Sequence, residues 1–210
     1  MIYLDNAATT ALSPAAIQAM TKTMTVFGNP SSTHSHGREA SKLLRQARED
    51  IAQALHTQSN KILFTSGGTE SNNTAIKGYA LRHQNRGKHI VTTAIEHHAV
   101  LEVVEYLVDK FGFEATFVQP VDGQIRAADI KKALRPDTIL VSVMAVNNET
   151  GAMLPIKEIG ELLQEHPAAF HVDAVQAIGK LPIYPDELGI DFLSASAHKF
   201  HGPKGVGFLY

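Results

Sequence analysis

Cysteine is absent from the 210-residue sequence. That excludes disulfides, thiolate metal ligands and a cysteine nucleophile within these residues. Long runs of one charge are also missing. Nineteen Lys and Arg stand against 21 Asp and Glu, for a formal net charge of -2, which favours neither nucleic acid nor an anionic membrane as a partner. No apolar stretch reaches the roughly 18 residues of a membrane span. The opening residues, Met1 to Asn6, carry an early acid at Asp5 and do not read as a signal peptide, so a cytoplasmic protein is the default expectation. There is no internal repeat, low-complexity segment or Gly/Ser-rich linker. Asn72 and Asn148 begin Asn-x-Thr sequons; without a signal peptide they read as ordinary loop or helix-cap asparagines.

What is present fits a soluble globular chain, with 44% hydrophobic and 19% charged residues, near the usual averages. Apolar β-rich runs alternate with helical patterns, which predicts an α/β fold with a mostly parallel sheet. Strands are expected at Ile62–Thr65, His89–Thr93, Thr116–Val118, Thr138–Val143, Phe170–Val172, Phe192–Ser194 and Val206–Tyr210. Helices are expected at Ser13–Met24, Gly37–Leu55, Glu70–His83, Ala99–Phe111 and Ile156–His166, with Pro14 in a first turn and Pro155 just ahead of the last. The organisation is a short polar arm, residues 1–12, then one main domain, residues 13–210. Gly205 to Tyr210 reads as an apolar strand with no helix or turn after it. The domain is therefore expected to be incomplete at its C-terminal end.

Three polar clusters follow expected strands, where open parallel sheets gather their ligand groups. The first, Thr65-Ser66-Gly67-Gly68-Thr69-Glu70, runs from a strand through a glycine pair into a helix with free first-turn amides, an arrangement that can hold a phosphate. A plain Ser/Thr cap beside a glycine turn gives the same pattern. No Walker-type lysine follows, which disfavours nucleotides. The second, His171-Val172-Asp173-Ala174-Val175-Gln176, sets an acid at a strand end. Asp173 there suits a pyridinium nitrogen and Gln176 a ring hydroxyl, although Asp173 can equally cap a helix. The third, Ser194 to Gly205, carries Lys199 among His198, His201 and Lys204. Such crowding should depress the lysine pKa and free its amine for Schiff-base chemistry, while a solvated basic loop is the bland alternative. Ser196 and His198 can add phosphate donors.

These clusters join four more motifs, DNAATT (Asp5–Thr10), GNPSSTHSHG (Gly28–Gly37), IEHHAV (Ile95–Val100) and VNNETG (Val146–Gly151). In this order they resemble the cysteine desulfurases of the NifS/IscS type. That family sits within the class V aminotransferase group of pyridoxal phosphate (PLP) enzymes. The HGPKGVG ending (His201–Gly207) is more similar to the NifS/IscS branch than to the SufS branch. The resemblance implies a three-layer, aspartate-aminotransferase-like large domain of fold type I. It implies that Lys199 forms the Schiff base with PLP and moves the Cα proton of L-cysteine. Asp173 would pair with the pyridine nitrogen and Gln176 with the ring hydroxyl. Thr69, Ser196 and His198, with Gly68, would hold the phosphate. Asn148 would lie beside the cofactor, and His97 would stack on the ring and shuttle protons. No metal is expected, because the His97-His98 pair lacks ligand spacing.

The family acts as a homodimer and passes sulfur to an acceptor or scaffold protein for iron-sulfur cluster or thio-cofactor synthesis. Its catalytic cysteine, its substrate-binding arginine and a phosphate contact from the second subunit are expected beyond Tyr210. This sequence departs from the family in having no cysteine at all. Two alternatives share the PLP logic. One is another class V enzyme, a selenocysteine lyase or aminotransferase; the other is a PLP-binding module without turnover.

Overall fold

The computed structural model describes residues 2–210. Among these residues the strands are β1 (Leu63–Thr65), β2 (His89–Thr93), β3 (Glu114–Val118), β4 (Thr138–Met144), β5 (Ala169–Asp173), β6 (Phe192–Ser196) and β7 (Gly207–Leu209). They form one sheet in the order β1-β7-β6-β5-β4-β2-β3. Strands β3, β2, β4, β5 and β6 are mutually parallel. β7 runs antiparallel to both β6 and β1, so β1 points the same way as β6. The carboxyl ends of β1, β2, β4, β5 and β6 therefore share one edge of the sheet.

The helices are α1 (Pro14–Thr23), α2 (Ser35–Ala54), α3 (Gly68–His83), α4 (His98–Phe111), α5 (Ala127–Ala133) and α6 (Ile156–Leu163). Every residue of β2, β4 and β5 is buried, as strands covered on both faces must be. Alternate residues serve two cores. Ile90, Leu140 and Ala169 pack with Ile76 of α3 and with Val100, Val104 and Leu107 of α4. Val91, Val141, Phe170 and Val172 pack on the other face with Ile130 of α5, Ile159 of α6 and Ala52 of α2. The result is the expected three-layer, mostly parallel α/β architecture.

Two buried histidines tie the strands together from within. His171 on β5 bonds Ser142 Oγ of β4 at 2.8 Å and Ser194 Oγ of β6 at 3.0 Å. His89 on β2 bonds Thr138 Oγ1 at 2.7 Å and Thr116 Oγ1 at 2.9 Å. Burial holds both below the usual imidazole range, His171 down to about 3. Both are therefore neutral parts of the sheet.

The structure corrects the sequence reading in several places. α5, seven residues long with Ile130 as its one buried residue, was not expected, because so short an element shows too little periodicity. β3 begins two residues early, at Glu114, and the last helix stops at Leu163 instead of His166. α2 starts at Ser35, where His34 caps the helix by accepting from Gly37 N at 3.3 Å. α3 already begins at Gly68. The final strand, expected to span Val206–Tyr210, is β7 over Gly207–Leu209, and it lies inside the sheet between β6 and β1.

Candidate active site

Around one cavity of about 390 Å3 at this edge lie all nine residues singled out from the sequence: Gly68, Thr69, His97, Asn148, Asp173, Gln176, Ser196, His198 and Lys199. Gly68 and Thr69 follow β1, His97 follows β2, and Asn148 follows β4. Asp173 ends β5, Ser196 ends β6, and Lys199 stands three residues further on. Parallel strand direction is what brings such distant segments together.

At the β1–α3 turn, α3 starts from Gly67 with no side-chain cap, which leaves first-turn amides free beside Thr69. Glu70 lines the neighbouring cleft and its Oε2 accepts from Ser66 N at 2.6 Å. A Cβ on Gly68 would meet Val175 Cγ2 at 2.6 Å, so only glycine lets this helix end approach the turn after β5. The neighbouring cleft adds Ser196, His198 and Lys204 to the same corner. Hydroxyl, imidazole and ammonium groups around free amides are donors that suit an anion, with the Glu70 carboxylate held on Ser66 N at the rim.

Asp173 is 6% exposed. Its Oδ1 accepts from Val175 N at 3.0 Å and its Oδ2 from Asn72 Nδ2 at 2.8 Å. Burial pushes its pKa up; the two hydrogen bonds, then His97 and Lys199, pull it down. The backbone bond holds the turn after β5, where β6 is the next element and not the helix that a capping aspartate would start, and it coexists with a place on the cavity wall. Next to His97, Glu96 is fully buried and held up to about 8 by burial. Its Oε1 accepts from Thr93 Oγ1 at 2.6 Å and Met144 N at 3.0 Å. His97 caps α4, its Nδ1 accepting from Ala99 N at 3.1 Å, which leaves the ring proton on Nε2.

Asn148 is half-buried, and its Nδ2 donates to Glu149 Oε1 at 2.6 Å. The loop itself is held by its neighbour. Asn147 Oδ1 accepts from Glu149 N, Thr150 N and Thr150 Oγ1, and its Nδ2 donates to Ile95 O at 2.8 Å.

Lys199 Nζ donates to the carbonyls of Ala7 and Ala8. Its pKa is lowered, as expected from the sequence, but for another reason. Burial is the main cause and Lys180 the next, while Asp5 and Asp173 oppose them; His198, His201 and Lys204 are not among the causes. His201 instead turns its Nδ1 to Ala11 O at 3.0 Å. Gly179, at φ +76, approaches Phe200 so closely that a Cβ would lie 2.8 Å from Phe200 Cβ. That contact seats the Lys199 loop against the turn bearing Gln176.

The N-terminal arm is part of this site, which sequence reasoning missed. Thr10 N donates to His198 O at 2.8 Å, Thr10 Oγ1 to the same carbonyl at 2.9 Å, and His201 N to Thr10 Oγ1 at 2.7 Å. His198 Nδ1 lies 3.0 Å from Thr9 Oγ1, and Gln176 Nε2 donates to Ala7 O at 2.9 Å. Asp5, Ala7 and Ala8 line the cavity. A short polar arm has no periodicity to reveal this. Asn72 was also missed, although its place three residues after Thr69 puts both on one face of α3.

Among the described residues no group of three or more His, Cys, Asp or Glu is placed to hold a metal ion, and no helix is long and apolar enough to cross a membrane. An amine, a buried carboxylate and an anion corner around one cavity suit a flat, phosphorylated ligand carrying a basic ring nitrogen.

Comparison with known proteins agrees with this geometry. The chain is 53% identical over 212 residues to the cysteine desulfurase IscS of Dictyoglomus turgidum, covering 100% of this chain and 53% of that protein. A solved structure described as SspA in complex with cysteine superimposes with a TM-score of 0.95 at 40% identity, covering 100% of this chain and 61% of the other. A NifS-like protein gives 0.95 at 42% identity, covering 100% and 58%. The chain spans about half the length of the curated relatives it matches. The family model described as Aminotransferase class-V matches residues 2–210, and the chain belongs to that PLP-dependent family.

Proposed function

We propose that this chain binds PLP at Lys199 and forms the cofactor-holding part of a cysteine desulfurase that takes sulfur from L-cysteine. The observation that carries this reading is the meeting of Lys199, Asp173 and the uncapped start of α3 around one cavity. The residues fit the cofactor. The uncapped start of α3 at Gly68, packed against Val175, suits a phosphate, and the donors Thr69, Ser196 and His198 stand around it. Asp173 offers an anion to a ring nitrogen, and Gln176 an amide to a ring hydroxyl. When bound, PLP supplies a carbonyl that condenses with amines and a ring that takes up the electrons of a broken Cα bond.

The chain's own residues do the rest. Lys199, its pKa lowered mainly by burial, presents a neutral amine more readily than a surface lysine, both to hold the cofactor and to move the substrate Cα proton. Asp173, on the cavity wall, would keep the ring nitrogen protonated. His97, with Nδ1 engaged by Ala99 N, lines the cavity where it would stack on the ring, with Nε2 left to shuttle a proton. Asn148 closes the cavity wall beside the ring. The sequence has no cysteine, so the thiol that accepts sulfur comes from outside these residues. We take residues 1–12 as an arm and residues 13–210 as the PLP-binding domain of a cytoplasmic homodimer that delivers sulfur to an acceptor protein. The named relative, described as a cysteine desulfurase, and the neighbour described in complex with cysteine support that substrate.

Absorbance tests the reading. With PLP the chain should gain the visible band of a protein-bound Schiff base, Lys199→Ala should lose it, and Lys180→Ala and Lys204→Ala should keep it. A Lys199→Ala chain that retains the band overturns the cofactor site. These residues alone should not complete the cycle, because they lack the cysteine and the substrate-binding arginine expected beyond Tyr210; a longer, PLP-loaded chain that carries both, given L-cysteine and a reducing thiol, should release alanine and sulfide. Release of neither, with the band intact, overturns the desulfurase reading and leaves PLP binding standing.

A further inference from the structure

Asp173 has a side-chain partner to which no role has yet been given. Asn72 on α3 is 1% exposed, lines the same cavity, and donates from Nδ2 to Asp173 Oδ2 at 2.8 Å. With Val175 N on Oδ1 at 3.0 Å, each carboxylate oxygen has one protein donor. The amide orientation follows from chemistry, since Oδ1 turned toward the carboxylate would oppose two acceptors. Asn72 Oδ1 is buried and has no hydrogen-bond partner. A buried acceptor without a partner is destabilising, and an apolar residue of similar size would remove that defect. Folding alone therefore gives no reason for an amide here. What the amide adds is its N–H on Asp173.

Resting on the PLP reading above, we propose that Asn72 is a positioning residue: its amide fixes the Asp173 carboxylate as an ionised acceptor aimed at the ring nitrogen of the cofactor. The charges around Asp173 leave this bond a definite task. Burial opposes ionisation, and His97 from the start of α4 and Lys199 from the loop after β6 favour it. Glu96, in the turn before α4, faces Asp173 as a further acid, and its own burial keeps it neutral at neutral pH. Of the two direct donors to the carboxylate, Val175 N belongs to the backbone. Asn72 is the one a substitution can remove. The charge of Asp173 in turn decides whether the ring nitrogen stays protonated, and with it how well the ring takes up electrons.

The test uses Asn72→Leu, which deletes the donor at similar size, and Asn72→Ser, which keeps a hydroxyl donor. In the cofactor-free chain, carboxyl-carbon NMR follows the titration of Asp173, identified by the signal missing from Asp173→Asn. Asn72→Leu should raise that titration by about one to two pH units, and Asn72→Ser should restore part of the difference. With PLP labelled at its ring nitrogen, the Leu variant should move the nitrogen signal toward the unprotonated form. PLP should also bind about 10- to 100-fold more weakly. A loss of stability alone would move neither signal in this way. Should Asn72→Leu not fold, Asn72→Ala serves the same readouts. An unchanged Asp173 titration in the donor-deleted variant overturns the proposal. A shifted titration in a chain whose wild type takes up no PLP would overturn the cofactor reading and leave the Asn72–Asp173 coupling standing.

Discussion

His171 makes the stability of the sheet depend on acid in a way that can be worked out in advance. The folded protein keeps this imidazole neutral down to about pH 3, against an ordinary value of 6.5. Between those values the unfolded chain binds a proton that the folded chain does not, so stability falls as the pH drops below 6.5. Each unit removes about 1.4 kcal/mol, so two units of acidification remove about 3 kcal/mol. That is a large share of the roughly 5–15 kcal/mol of a typical domain. The comparison is His171→Gln, which cannot take up a proton. At neutral pH the variant should be weaker by about 1–2 kcal/mol, because it loses the fitted bridge from Ser142 to Ser194. As pH falls the wild type should lose that lead and the two stability curves should cross. Urea unfolding followed by circular dichroism across the acid range measures both. His89, also held below its usual range, contributes equally to the two proteins and cancels. Parallel acid curves for wild type and variant would refute the reasoning.

Three further outcomes follow from individual contacts. Glu96→Gln should stabilise the protein increasingly as pH rises from 4.5 toward 8, because the wild-type folded state must keep or lose a proton that the unfolded chain has already released; equal unfolding midpoints at mildly alkaline pH would contradict the buried neutral acid. Thr10→Val leaves His201 N and one bond to His198 O unmet, at about 1–3 kcal/mol. Hydrogen exchange at His201 should quicken, and Thr10→Ser should not show the effect. Gly179→Ala forces an alanine into φ +76 and against Phe200, at about 1–3 kcal/mol. Thermal unfolding should register that loss, and an unchanged melting temperature would mean that the turn does not seat the Lys199 loop.

The layer architecture was readable in the sequence because the central strands are continuous apolar runs. Val141 and Val143 serve one core and Leu140 the other, so each run marks a strand covered on both faces. The site was readable for a related reason. Gly68, Thr69, Asp173, Gln176, Ser196, His198 and Lys199 stand just after or at expected strand ends, which the parallel rule gathers without any knowledge of tertiary contacts; His97 and Asn148 were implied by the family resemblance. What sequence could not supply were contacts between segments far apart in the chain. The arm's bonds from Ala7, Ala8 and Thr10 to Gln176, Lys199 and His201 span more than 160 residues. Local pattern holds no trace of them. The cause of the lowered Lys199 pKa was misread for the same reason. Neighbours in sequence suggested His198, His201 and Lys204, whereas burial and Lys180 act through space. Asn72 escaped notice because the bond that makes it informative joins α3 to the end of β5.

Everything proposed about function depends on one covalent site, and one measurement addresses it. The purified chain is mixed with PLP, reduced with borohydride, digested and mapped by mass spectrometry. The account predicts a single modified peptide, with the cofactor on Lys199 and none on Lys180 or Lys204. No modification, or labelling scattered over surface lysines, would contradict it.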